Sequence, residues 1–271
     1  SRANAARAAG ILRGAGAVPD LLEGLRSKDS SIMYECLIAL QKIRDPEAGR
    51  HITYLVRDLD ERVQVAAIET VGLLGNLEAL PELKRVLSQT TSRRVRRAAL
   101  TAIAMLPDPS NRTLLRNFLR DRDSELREAA AEGLGRISDP EDLPVLTEAY
   151  SRESNRSARL SAAFALVMLG KRELTEFSPL QYLINTLNSA ARVSEARALL
   201  TEAARNADVR RLLHAALAKA TRDEKKGLAQ VLAASGDQES IPYLESLTKD
   251  PDPSVATEAI RALRSLRARL P

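Results

Sequence analysis

The stretch DSELREAAAEGLGRI, residues 123–137, recurs in altered letters as DERVQVAAIETVGLL at 60–74 and SRRVRRAALTAIAML at 92–106. Each copy opens on a residue, Asp60, Ser92 or Asp123, whose side-chain oxygen can accept a free N–H of a first helical turn. Apolar residues then keep one frame: Val63, Ala67, Ile68, Val71 and Leu74; Val95, Ala99, Leu100, Ile103 and Leu106; Leu126, Ala130, Ala131, Leu134 and Ile137. Their offsets of 0, 4, 5, 8 and 11 trace one stripe of a helix with 3.6 residues per turn. The same opening stands at Asp29-x-x-Ile32, Asn155-x-x-Ala158 and Asp252-x-x-Val255. A capped amphipathic helix is therefore repeated, and the repeat decides the fold.

Turn signals alternate with these helices at Asp45-Pro46, Gly75-Asn76, Asp108-Pro109, Asp139-Pro140, Gly170-Lys171 and Gly236-Asp237. Asp45, Asn76, Asp108, Asp139 and Lys171 follow at steps of 31, 32, 31 and 32, and the gap from Lys171 to Asp237 is 66, or two further units. Asp-Pro is a cap with proline at the first helical position, where its missing N–H costs nothing. Gly75, Gly170 and Gly236 suit helix exits that need positive φ. Between turn and cap lie the anchors of a first helix: Leu21, Leu22 and Leu25; Ile52, Leu55 and Val56; Leu83, Val86 and Leu87; Leu115, Phe118 and Leu119. Offset 4 of the second helix is small throughout, as Cys36, Ala67, Ala99, Ala130, Ala162 or Ala259, so Cys36 reads as a core filler in an alanine slot.

Composition agrees with helix packed on helix. Aromatic residues are 3% of the 271 with no Trp, and Ala and Leu dominate the apolar share. A single cysteine excludes an internal disulfide and a thiolate metal cluster. No apolar run approaches the roughly 20 residues of a membrane span. The opening SRANAAR, residues 1–7, has no hydrophobic signal core. It lacks an initiating Met and starts inside a helical pattern, as a fragment without its targeting segment would. A cytoplasmic chain is the expectation. Net charge is +5, and of 41 basic residues eight are Lys and 33 Arg, a bias that fits ion-pair ladders, an acidic partner or mere codon usage.

A period near 31 suits several helical repeats. Tetratricopeptide repeats want a Trp-led signature, and ankyrin repeats a Thr-Pro-Leu-His turn in which neither His51 nor His214 stands. The pattern Leu-x-Asp-x-x-Val, an Ala-rich helix and then Gly or Asp-Pro resembles HEAT repeats in their short bacterial form, clearly over 15–171 and 237–267 and weakly between. The resemblance implies that the residue after the mid-unit apolar position is an Arg stacked against the acidic cap of a neighbouring repeat. Arg96, Arg127 and Arg159 match it, while Met33, Gln64 and Ala256 depart. Such repeats also resemble those named after phycobilisome lyases, but a shared repeat does not carry over a lyase activity.

The fold class expected is all-α, an α-solenoid of about eight antiparallel helix pairs, HEAT-like, in one domain over 1–271. Residues 1–14 read as the second helix of a partial leading repeat, 15–171 as regular repeats, 172–236 as degenerate repeats without the Asp-x-x-Val landmark, and 237–271 as a terminal repeat. Helices in the degenerate part are expected over Pro179–Asn188, Val193–Asn206, Val209–Lys219 and Arg222–Ala234, the last led by a capping box at Thr221-x-x-Glu224.

No nucleophile–base pair, metal set or phosphate loop stands out, so no catalytic residue, cofactor or metal is assigned and an enzyme is not expected. Solenoids bind partners on the surface of one helix row. If the second helices line it, offsets 2, 6 and 10 supply Val65, Glu69 and Leu73; Arg97, Thr101 and Met105; Glu128, Glu132 and Arg136; Leu160, Phe164 and Met168. The reading is a non-enzymatic scaffold or adaptor for an unidentified protein partner, with Arg93, Arg97, Thr101, Glu132, Arg136, Leu160, Phe164 and Met168 as contact residues. The apolar trio Leu160, Phe164 and Met168 is either a partner groove beside Arg136 or lies under a lid in which Phe177 and Tyr182 are candidates. Two alternatives stand beside it. One is nucleic-acid binding through the stretch 84–97, where Lys84, Arg85, Arg93, Arg94, Arg96 and Arg97 meet no acidic residue. The other is a regulatory subunit or domain of a larger enzyme or transporter.

Overall fold

The computed structural model describes residues 2–270, which are helical with short connections and contain no strand. They fall into two compact units, 1–137 and 138–271. In the first, a leading helix α1 (Arg2–Leu12) precedes α2 (Val18–Gly24) and α3 (Ser30–Ile43), α4 (Glu61–Leu73), α5 (Leu80–Gln89) and α6 (Arg93–Ala104), then α7 (Arg112–Phe118) and α8 (Ser124–Ile137). The second holds α9 (Leu143–Arg152) and α10 (Arg156–Met168), α11 (Pro179–Thr186) and α12 (Val193–Ala203), α13 (Ala207–Ala216) and α14 (Arg222–Ser235), then α15 (Ile241–Leu247) and α16 (Pro253–Arg269).

Each unit is a run of stacked helix pairs, the α-solenoid arrangement. Second helices form a row: α3 lies against α1 and α4, α4 against α6, and α6 against α8; in the other unit α12 lies against α10 and α14, and α14 against α16. First helices pack on their own second helix, as α2 on α3, α5 on α6, α9 on α10 and α15 on α16. Counting the 3-10 turns Pro46–His51 and Thr53–Arg57 as the first partner of α4, the described residues make four pairs in each unit, with α1 ahead of them. Those turns replace an expected first helix because Gly49 and the β-branched Ile52, Thr53 and Val56 favour α-helix poorly. Gly49 is also closely packed: a Cβ there would stand 3.1 Å from that of Asn76, whose amide donates to the Gly49 carbonyl at 3.0 Å.

The caps behave as the sequence implies. Asp29, Asp60 and Asn155 each accept from two N–H groups of the following turn, and Ser92, Asp123 and Asp252 also accept from theirs. Two residues ahead of each cap a second side chain accepts the cap's own N–H: Ser27, Asp58, Thr90, Asp121, Glu153 and Asp250. This double cap closes the turn from first to second helix.

Core positions follow the stripe. Val63, Ala67, Ile68, Val71, Ala99, Leu100, Ala130 and Leu134 are all buried. Cys36 is buried against Gly24, where an added Cβ would stand 2.6 Å from its Sγ, and burial pushes the thiol pKa up to about 11, which leaves it unreactive. Gly75 and Gly170 have φ of +71° and +102°. Gly236 does not: its φ is −69°, and it is glycine because a Cβ would stand 2.3 Å from the Leu232 carbonyl oxygen.

The region 172–236 forms the four expected helices, with the Thr221–Glu224 capping box in place. It also keeps one landmark that the sequence reading missed. Asn206 caps α13, accepting from Asp208 and Val209, but the motif opens a first helix rather than a second.

Candidate functional site

The outward line of the second helices in the first unit runs through α4, α6 and α8. On α6, Arg93 and Thr101 are exposed and Arg97 half-buried, because Val95, Ala99 and Ile103 turn the opposite face into the core. Val65, Glu69, Arg93, Arg94, Arg97, Thr101 and Glu125 border an open cleft of about 430 Å³.

Ion pairs across repeats organise this face. Arg97 donates through Nε and Nη2 to both oxygens of Asp123, at 2.7 and 2.8 Å, and also pairs with Glu125. Arg93 adds a bond to Asp123 at 2.9 Å. Arg97 first, then Arg93 and the Glu125 N–H, hold the Asp123 carboxyl well below the usual carboxylate range, against the opposing effect of desolvation. Arg136 pairs with Glu132 at 3.0 Å and donates to the Ala104 carbonyl at 3.2 Å, which satisfies the C-terminal end of α6.

The Arg stack implied by resemblance takes another form. Arg96 reaches Asp121 at 3.5 Å and lies 5.4 Å from the Phe118 ring, so the cap Asp123 is held by Arg93 and Arg97 instead. Arg127 donates to the carbonyls of Asp121 and Arg122, and Arg210 on α13 does the same to Ala204 and Arg205. Arg159 lies 4.9 and 5.2 Å from the rings of Tyr150 and Tyr182. One helical turn after a cap, an Arg serves whatever the preceding turn leaves open: a carboxylate, carbonyls or ring faces.

The structure brings Arg93, Arg97 and Thr101 together and sets Glu132 and Arg136 on the next helix of the same line. It removes Leu160 and Phe164. Both are fully buried in the fold, so neither is open to a protein partner. Met168 is half-buried at the end of α10. Tyr182 is also half-buried, on α11, while Phe177 points into solvent and covers nothing.

Sequence reading missed Asp121, Asp123 and Glu125 as the counter-charges of the basic stretch. Their signal was present, since each lies 25 to 30 residues, one repeat, beyond the Arg it meets.

The HEAT-repeat profile matches residues 50–111, 87–167 and 209–270, well over half of the sequence. The chain belongs to the HEAT-repeat family. A search of curated proteins found no match. Among solved structures, this HEAT-repeat chain is similar to the complex of CpcE and CpcF of phycocyanin lyase from Nostoc sp. PCC7120. The TM-score is 0.63 at 20% identity, over 92% of this chain and 94% of that one. Human deoxyhypusine hydroxylase in complex with glycerol aligns over 94% of this chain and 97% of its own at 21% identity, with a TM-score of 0.41. At these identities the likeness to phycocyanin lyase speaks for fold alone.

Proposed function

We propose that this HEAT-repeat chain is a non-enzymatic scaffold that binds a protein partner along the outward line of α4, α6 and α8. The observation that carries the reading is the open cleft beside Arg97 and Thr101, where both signs of charge stand beside apolar Val65 and Ala98. Such a mixed surface fits a protein better than a phosphate chain. The contacts are Arg93, Arg97 and Thr101, with Glu132 and Arg136 at the margin. A catalytic reading finds little support in the arrangement nearest to a nucleophile and base. His214 Nε2 lies 2.9 Å from Ser240 Oγ, but Ser240 is fully buried and Asp237 bonds to Ser240 and Arg210 rather than to the imidazole. The same proposal sets the chain in the cytoplasm, which cell fractionation tests.

The test is affinity capture with the full chain and with Thr101→Arg, which fills the cleft from an exposed position. A protein retained by the chain and lost with Thr101→Arg, at unchanged melting midpoint, supports the reading. Equal retention by both sinks it. The alternative of a regulatory subunit is the outcome in which the retained protein is an enzyme or transporter.

The nucleic-acid alternative loses ground on geometry. Arg85 pairs with Glu82, Arg93 and Arg97 with Asp123, and Arg96 with Asp121, while Lys84 bonds to Ser110. Four of the six cations of the stretch, all but Lys84 and Arg94, thus pair with carboxylates among the described residues.

A further inference from the structure

Most second helices pass to the next first helix, or to the 3-10 turn that opens it, through two to four residues; from α10 to α11 the chain takes ten, 169–178. A connection lengthened in one repeat of a solenoid maps to a surface loop, where binding residues concentrate. Near its end stands Phe177, 78% exposed and with φ +66°. The other non-glycine residues at positive φ are Arg13, Arg44 and Ser138, all polar. A bulky apolar side chain in the left-handed region is disfavoured by its Cβ, and in water it recovers nothing from burial.

The conformation is nonetheless held. The Tyr150 hydroxyl donates to the Phe177 carbonyl at 3.1 Å, and Ser178 Oγ donates to the Glu173 carbonyl at 2.5 Å. Beneath the loop the Tyr150 and Tyr182 rings meet edge-on at 5.9 Å, with Arg159 over both. A hydrogen-bonded base thus presents an unrewarded aromatic, as anchors at protein interfaces are presented. Glu173 and Glu176 are exposed beside it and form no ion pair among the described residues.

We infer that Phe177 is an anchor for a protein partner whose surface offers an apolar pocket with a Lys- or Arg-rich rim, the charge that complements Glu173 and Glu176. The inference rests on the scaffold reading but uses residues other than those of the Thr101 cleft.

The test places a photoreactive benzoylphenylalanine at position 177 of the full chain, with the same group at the fully exposed Leu59 as control, and irradiates in the cells of origin. The expected result is one discrete protein adduct specific to position 177, joined at an apolar peptide with flanking Lys or Arg. It should fall at least tenfold in a Glu173→Lys/Glu176→Lys background. No adduct beyond that at Leu59, an adduct indifferent to the charge reversal, or an adduct to nucleic acid or to another copy of this chain overturns the proposal. In parallel, Phe177→Gly should melt at or above the parent temperature, since glycine accepts this φ freely. A fall of more than about 3 °C would make Phe177 structural and also overturn it. Thr101→Arg should leave the adduct intact, so failure of the cleft and failure of the loop are read separately.

Discussion

Arg97 on α6 holds Asp123, the cap of α8, with both carboxylate oxygens engaged at 2.7 and 2.8 Å. The same carboxylate accepts the Glu125 N–H at 3.1 Å, so one side chain both starts a helix and ties two repeats together. The two roles separate by substitution. Asp123→Asn keeps the cap and loses the charge, whereas Asp123→Ala loses both, so the alanine variant should be less stable than the asparagine one by about 1 kcal/mol in denaturant melts. Because the folded carboxyl titrates below its unfolded value, its contribution is present above about pH 4 and lost as pH falls further. Asp123→Asn should flatten that acid limb; an unchanged limb would place the acid sensitivity elsewhere.

Leu134 on α8 is fully buried, while Leu263 on the last helix is half-buried. Since each repeat's core depends on its neighbours, Leu134→Ala should cost on the order of 2–5 kcal/mol and Leu263→Ala clearly less. Equal losses in urea melts would contradict nearest-neighbour stacking.

The difference between these sites was legible in the sequence, because both sit at offset 8 of the same frame and only their distance from the last repeat differs. Caps, stripe and helix boundaries follow from local chemistry: Asp60 serves its own first turn, and Val63 repeats its role at Val95. What the sequence did not disclose depends on partners one repeat away. Leu160 and Phe164 could be read as a groove or as lying under a lid, because nothing in α10 itself says what covers it. The basic run from Lys84 to Arg97 looked unopposed because its carboxylates, Asp121 to Glu125, lie beyond the next first helix. Gly236 carried the right residue for a different reason, steric room instead of positive φ.

His214 is buried on Ser240 and stacked 4.2 Å from the Tyr243 ring, and burial depresses its pKa, with Arg210 adding to the effect and Asp237 and Glu239 opposing it. A depressed folded pKa means the unfolded chain takes up the proton first. Stability is then full above about pH 6.5 and declines as pH falls below it. His214→Gln keeps a hydrogen-bonding group but does not titrate. The parent's melting midpoint should drop between about pH 7.5 and 5.5, and the variant's drop should be visibly smaller. Parallel curves would show that the imidazole is not the source.

Because Arg93, Arg96 and Arg97 are engaged by Asp121, Asp123 and Glu125, few charges remain to displace counterions. Binding to a fluorescent duplex should therefore be no tighter than about 10 µM at physiological salt, with a logarithmic salt slope of only about −1 to −2. Submicromolar binding that falls steeply with salt, and is lost with Arg93→Glu/Arg97→Glu at unchanged fold, would put nucleic acid ahead of a protein partner.

Gly24 ends α2 where Cys36 of α3 approaches most closely, and a methyl group at Gly24 would stand 2.6 Å from the Sγ. Gly24→Ala should thus cost about 1–3 kcal/mol from overpacking. Cys36→Ala, alone, removes one buried sulfur and should cost about 1 kcal/mol or less. Together the new methyl occupies the space the sulfur vacated, so the double variant should be more stable than Gly24→Ala alone. The coupling in a double-mutant cycle should be of the order of 1 kcal/mol and opposite in sign to the single losses. Additive losses would mean that the contact relaxes without strain and that glycine stands at position 24 for its backbone alone.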